Sequence, residues 1–115
     1  MCAPGVSFKK IHLEAARIIT NGLKELGYMK GDTEEAIAAG AHAMFFPTGL
    51  GHNMGLDVHD MEDLGEDLVG YDKDQSRSPL LGLGSLRMAR TLKAGNVVSP
   101  NPNTIAVAEA FKLDL

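Results

Sequence analysis

Tryptophan is absent from these 115 residues, cysteine occurs once and tyrosine twice. With only Tyr28 and Tyr71 as phenols, the chain lacks the material for an aromatic platform on which nucleic-acid bases stack. The lone Cys2 excludes an internal disulfide framework and a cysteine zinc site. It fits a reducing compartment, so the chain reads as cytoplasmic. Long apolar runs are also missing. Stretches such as Ala43-Met44-Phe45-Phe46 are far too short to span a membrane. Lys9, Lys10, Glu14, Arg17 and Lys24 interrupt the first thirty residues, so no secretory leader is legible. Positive charge is not in excess either. There are 15 acids against 11 bases, and the net charge of -4 disfavours a nucleic-acid partner.

What is present is an ordinary globular composition, 44% hydrophobic and 23% charged, which argues against disorder. Ile11, Ala15, Ile18, Ile19, Gly22, Leu23 and Leu26 recur at intervals of three and four, with the charges mainly off that stripe. The spacing predicts an amphipathic helix over residues 8–26. Ser7 stands at its cap, and Gly27 is placed to close it in a left-handed conformation. Asp32 followed by Glu35 predicts a second helix start, which Pro47 bounds on the far side. His12, beside the apolar stripe, reads as a helix-surface or satisfied residue of the first helix, and His42 as the end of the second helix, where the dipole suits a positive charge. The methionines read as packing filler.

Beyond Pro47 the pattern becomes irregular. Gly49, Gly51 and Gly55 forbid a stable helix and imply positive φ or close backbone approach. Eight acids lie between Asp57 and Asp74 with Lys73 as the only Lys or Arg among them, so residues 60–79 read as an exposed, solvated acidic loop. Residues 80–92 read as extended. A turn at Lys93-Ala94-Gly95-Asn96 precedes a strand beginning at Val97-Val98-Ser99, which Pro100 to Asn103 breaks. Residues 105–113 read as a short helix with Thr104 as its cap.

The chemically suggestive stretch runs from Gly49 to Asp60. His52 and His59 flank glycines and carboxylates, and imidazole is the commonest transition-metal ligand. On a regular strand their odd separation would put them on opposite faces, so only a bulge or turn brings them together.

Pro47-Thr48-Gly49-Leu50-Gly51-His52, followed by Gly55-Leu56-Asp57-Val58-His59-Asp60, resembles the histidine signature of the pita-bread metallopeptidases. It is most similar to the Xaa-Pro aminopeptidase and Xaa-Pro dipeptidase branch. The likeness extends to Pro4-Gly5 with the long helix, to Ala41-His42, and to Leu86 through Val98, so it covers residues 3–99. It implies an α+β fold, a partial pita-bread unit with long helices on an antiparallel sheet, in one partial catalytic domain over residues 1–115 with a divergent tail from 100. It implies a hydrolase of the peptide bond before proline, with a dinuclear divalent metal site, manganese foremost. His52 would be a metal ligand and His59 a substrate contact.

Several positions depart from the family pattern. Thr48 replaces the first histidine of the signature, and a hydroxyl is no proton carrier near neutral pH. Asn101 stands where a ligand glutamate is expected, and a neutral amide is a weak substitute for a bridging carboxylate. The family's two ligand aspartates belong to a segment that would precede Pro4, and its last glutamate to one that would follow. His52 is then the one remaining ligand, metal binding is expected to be absent or weak, and the chain alone is expected to be inactive. The loss of resemblance after Ser99 fits a truncated or frame-shifted gene or an incomplete gene model. The alternative is a binding or self-assembly module, a homo-oligomer in which another copy or a missing half-domain covers the open strand edges. A different metal enzyme using His52, His59 and the local acids Asp57, Asp60, Glu62 and Asp63 is the remaining reading, disfavoured by the absence of any HExxH-like pair.

Overall fold

The computed structural model describes residues 2–100. The expectations for Asn101, the tail, Thr104 and the helix over 105–113 lie outside the described residues.

The long helix α1 spans Phe8–Glu25. Its end follows from Gly27, which takes φ +82°. That turn lets the Tyr28 amide reach the Leu23 carbonyl (2.9 Å) and the Gly27 amide reach Lys24 (3.0 Å), a paired closure that satisfies the last carbonyls. Its start differs from expectation. Ser7 occupies the cap position without capping, and its Oγ donates instead to the Ala89 carbonyl at 2.9 Å. The reason is a backbone ladder that claims this segment first. Gly5 and Phe8 amides donate to the Leu92 and Arg90 carbonyls, and the Leu92 amide donates to Val6.

The buried line of α1 is Phe8, Ile11, His12, Ala16 and Thr20. Ile18 and Leu26, read as part of the inward stripe, are 63% and 72% exposed. The four-residue step from Phe8 to Thr20 follows what the chain offers for packing. Phe46, Leu50, Met88 and Leu92 gather at the helix's first half around Phe8, Ile11 and Ala16. The second half meets α2, Thr33–Ala38, through Arg17 to Glu34 and Lys24 to Thr33. Asp32 caps α2 as expected, accepting from the Glu35 amide at 3.0 Å. Gly40, at φ +75°, ends it and opens a 3-10 turn over Ala41–Met44.

The sheet is small. Strand β1, Gly51–Asn53, pairs antiparallel with β2, Val98–Pro100, in the register Gly51 with Pro100, His52 with Ser99 and Asn53 with Val98. The turn before β2 forms where predicted, with the Asn96 side chain accepting from the Lys93 amide at 2.8 Å. The sheet packs against the start of α1, where Val98 joins the core cluster. A mixed fold of helices and a small antiparallel sheet is therefore present.

Two segments differ from the sequence reading. Residues 60–79 are not a featureless loop. They hold a 3-10 turn, Glu62–Leu64, and a short helix α3, Glu66–Gly70. Residues 80–90 are not extended. Gly82 at φ +85° folds them into consecutive turns, from which Leu83, Leu86, Met88 and Ala89 still reach the interior. Tyr71, Leu86 and Ala89 make a second small core, in which the Tyr71 hydroxyl donates to the Leu86 carbonyl at 2.6 Å.

Gly51 lies so close to β2 that an added Cβ would overlap the Ser99 carbonyl oxygen. Gly51→Ala should therefore cost about 2–3 kcal/mol of stability through overpacking, read as a lower urea midpoint at unchanged slope.

Candidate functional site

The histidine loop is shaped by backbone contacts on both sides. At Gly49 an added Cβ would sit 2.9 Å from both the Leu86 Cα and the Ser85 carbonyl oxygen. Segment 84–87 thus lies directly on segment 47–51, and the Ser85 hydroxyl ties the two by donating to the Pro47 carbonyl at 2.7 Å. None of Gly49, Gly51 or Gly55 has positive φ; all three serve close approach.

After β1 the chain reverses. The Asp60 amide returns to the Asn53 carbonyl at 3.2 Å, and the Gly55 amide bonds the Asp57 carbonyl at 3.2 Å. Gly55 leaves room for the Asp60 carboxylate, which a Cβ would strike. This reversal is the turn that the odd spacing demanded. It brings the His52 and His59 rings edge to face with centroids 4.3 Å apart. The loop leaves through Met61 at φ +60°, an uncommon conformation for a residue with a Cβ.

His52 is 6% exposed, and its Nδ1–H donates to the Asn53 carbonyl at 2.8 Å. A carbonyl only accepts, so the lone pair resides on Nε2, the nitrogen left for a ligand. His59 is half exposed, and its Nδ1 lies 3.0 Å from Arg87 Nη1. Thr48, His52, His59, Glu66, Arg77 and Arg87 are among the residues lining one open cavity of about 390 Å³. The Thr48 hydroxyl is buried without a hydrogen-bond partner.

The acidic segment is not simply solvated. Glu62 pairs with Arg87 at 2.9 Å, and Glu66 and Asp67 each meet Arg77 at 2.9 Å. Arg77 also donates to the Gly84 carbonyl and lies over the Tyr71 ring. Asp72 accepts from the Thr91 amide at 2.8 Å, and that bond leads the influences holding its carboxyl below the usual range. Half of the run is thus committed to Arg77, Arg87 and the backbone of Thr91.

The residue that anchors this loop from below is one whose place the sequence left open between surface and satisfied interior. His12 is fully buried, not on the helix surface. Its Nδ1 accepts the Leu50 amide at 3.2 Å and its ring stacks on Phe46 with centroids 5.0 Å apart. His42 is also fully buried and is no helix-end cation. Burial holds it below the ordinary imidazole range, which favours the neutral ring. A histidine one turn after Phe8, on the buried line of α1, was the available signal.

The profile of metallopeptidase family M24 matches residues 1–111. The chain belongs to metallopeptidase family M24. Across 98 residues, 85% of this chain, it is 40% identical to an Xaa-Pro aminopeptidase of Escherichia coli and 38% identical to an Xaa-Pro dipeptidase of Xanthomonas euvesicatoria. Those alignments cover 20% and 21% of the relatives, so the chain spans about a fifth of their length. A structure of zinc-substituted E. coli aminopeptidase P in complex with product superposes with a TM-score of 0.63 at 36% identity. It covers 89% of this chain and 19% of that one, so the fold is a partial pita-bread unit. The same protein with the inhibitor Pro-Leu gives the same score.

The M24 family is a metallopeptidase family, so the donor set bears testing against a cation. Among the described residues no three His, Cys, Asp or Glu side chains gather as a metal site. Glu62 and Glu66 are turned to Arg87 and Arg77. One imidazole lone pair at His52 does not hold a pair of hard cations, so the described residues do not fit the dinuclear centre.

Burial, then the neighbouring His42, pushes His12 down to about 4, against a smaller opposing pull from the Gly82 backbone. The unfolded chain binds a proton near pH 6.5 where the folded one does not, so stability falls as pH drops from about 6.5 toward 4. The expected loss is about 3 kcal/mol at the acid end of that window. Urea titrations of the wild type and His12→Gln between pH 7 and 4 should show a shallower decline in the variant.

Proposed function

We propose that this chain is one partial catalytic domain over residues 1–115, of Xaa-Pro aminopeptidase or dipeptidase type. In this reading it carries the histidine-loop part of a site that hydrolyses the peptide bond before proline. His52 is its residual metal ligand and His59 its substrate contact. Thr48 takes the place of a proton-carrying histidine, and Asn101 that of a ligand glutamate. The observation that carries the reading is the meeting of His52 and His59 at 4.3 Å, which regular strand geometry would forbid.

With one ligand where the family uses several, the chain alone binds manganese weakly and does not cleave peptides. What its own residues do is bind and orient. The buried His52 presents a fixed lone pair, and Arg77 and Arg87 stand at the same cavity with their charges balanced by carboxylates. A proline-containing peptide offers carbonyl and carboxylate oxygens that accept from these two guanidinium groups.

Titrating the chain with Pro-Leu while following backbone amides by NMR should move residues 48–59 and 85–87, with a Kd in the millimolar range, about 4 kcal/mol of binding. Amide shifts confined to other segments, or none at ten millimolar peptide, contradict the reading.

A self-assembly module is supported by a separate observation. Leu56, Val58, Leu64 and Leu68 are 103%, 67%, 69% and 78% exposed along one stretch of chain. Large apolar residues left exposed favour association where they fall into one patch. If a second copy covers them, sedimentation between ten micromolar and one millimolar should show mass rising with concentration, and Leu56→Asp should abolish that rise.

A further inference from the structure

The two rings of the histidine loop are each held by one neighbour, and the neighbours differ in kind. His52 Nδ1 faces a carbonyl, which can only accept. His59 Nδ1 faces Arg87 Nη1 at 3.0 Å, and a guanidinium can only donate. The same Nη1 donates to Glu62 Oε2 at 2.9 Å. A terminal guanidinium nitrogen carries two hydrogens, so both bonds are made at once, one to each acceptor. Glu62 Oε2 itself is 4.0 Å from His59 Nδ1, too far to take a proton bond from the ring directly. The side chain of Glu62 is only 14% exposed, so the carboxylate bracing Arg87 is largely shielded from water.

We infer that Arg87, braced by Glu62, is a positioning residue that fixes the tautomer of His59. With Nδ1 accepting from Arg87, the ring's one proton sits on Nε2, and His59 is a hydrogen-bond donor through that nitrogen. His52 is fixed in the opposite sense, with its proton on Nδ1 and its lone pair on Nε2. The paired rings therefore offer a ligand one acceptor and one donor, which suits an oxygen acceptor such as a peptide carbonyl at His59. The functional consequence rests on the proposed substrate contact at His59. The tautomer does not, because it exists without ligand.

The test is the pair of imidazole nitrogen shifts, read by long-range proton–nitrogen NMR on ligand-free, uniformly labelled protein at a pH where imidazoles are neutral. Wild-type His59 is expected to carry its proton on Nε2 and His52 on Nδ1. In Arg87→Met the minor Nδ1–H form of His59 should rise about tenfold, the tilt that a charge-assisted hydrogen bond supplies, while His52 keeps its tautomer. Glu62→Gln should shift His59 in the same direction by less. A wild-type His59 protonated on Nδ1 overturns the inference, and that spectrum decides the matter even if a variant fails to fold. An unchanged His59 ratio in a folded Arg87→Met also overturns it. Failure of Pro-Leu to bind would instead remove the substrate reading and leave these ratios as they are.

Discussion

Three backbone segments meet at the histidine loop more closely than side chains permit. Segment 47–53 lies against β2 at Gly51 and against segment 84–87 at Gly49, and at both positions a Cβ would collide with neighbouring backbone. Gly70 repeats the arrangement at the end of α3, where a Cβ would overlap the Arg87 carbonyl oxygen. Its own carbonyl accepts the Ala89 and Arg90 amides. Through these contacts a defined site is held where the described residues form one two-stranded sheet. The glycines cost conformational entropy on folding, and the close approach they allow gives the segments hydrogen bonds that larger residues would forbid.

The second constraint is electrostatic. A run of eight acids among residues 57–74 would repel itself if left in water as a loop. Arg77, Arg87 and Arg90 come back across it. Most of these pairs are partly exposed, and each singly adds little stability. Their effect is geometric, because they tether the loop that carries His59 to the segment that packs on Gly49. The ordering of the site and the neutralisation of the acidic run are thus one arrangement.

Elements with local causes were legible in the sequence. The Asp32 cap, the left-handed Gly27 and the Lys93–Asn96 turn formed as read, since a few adjacent residues decide each. The antiparallel pairing of the strand after that turn, and the convergence of the two histidines, followed from the motif and its likeness to a known family. What was illegible depended on distant partners. Ser7 bonds Ala89 and not its own helix. The choice for His12 between surface and satisfied interior stayed open because its partner, the Leu50 amide, is 38 positions away. Ile18 and Leu26 sit on the apolar stripe by period, yet the described residues leave them exposed. Periodicity identifies a face without saying how much of it is covered.

The scaffold of the histidine loop is thus preformed, while the set of metal donors among the described residues is incomplete. Calorimetric titration of the chelator-stripped chain with manganese, with His52→Ala in parallel, tests it most directly. Binding is expected to be no tighter than about 100 μM, equal to roughly 5–6 kcal/mol, and little affected by the substitution. Binding at micromolar or below that is lost in His52→Ala would contradict it, because a full ligand set would then have assembled around that ring.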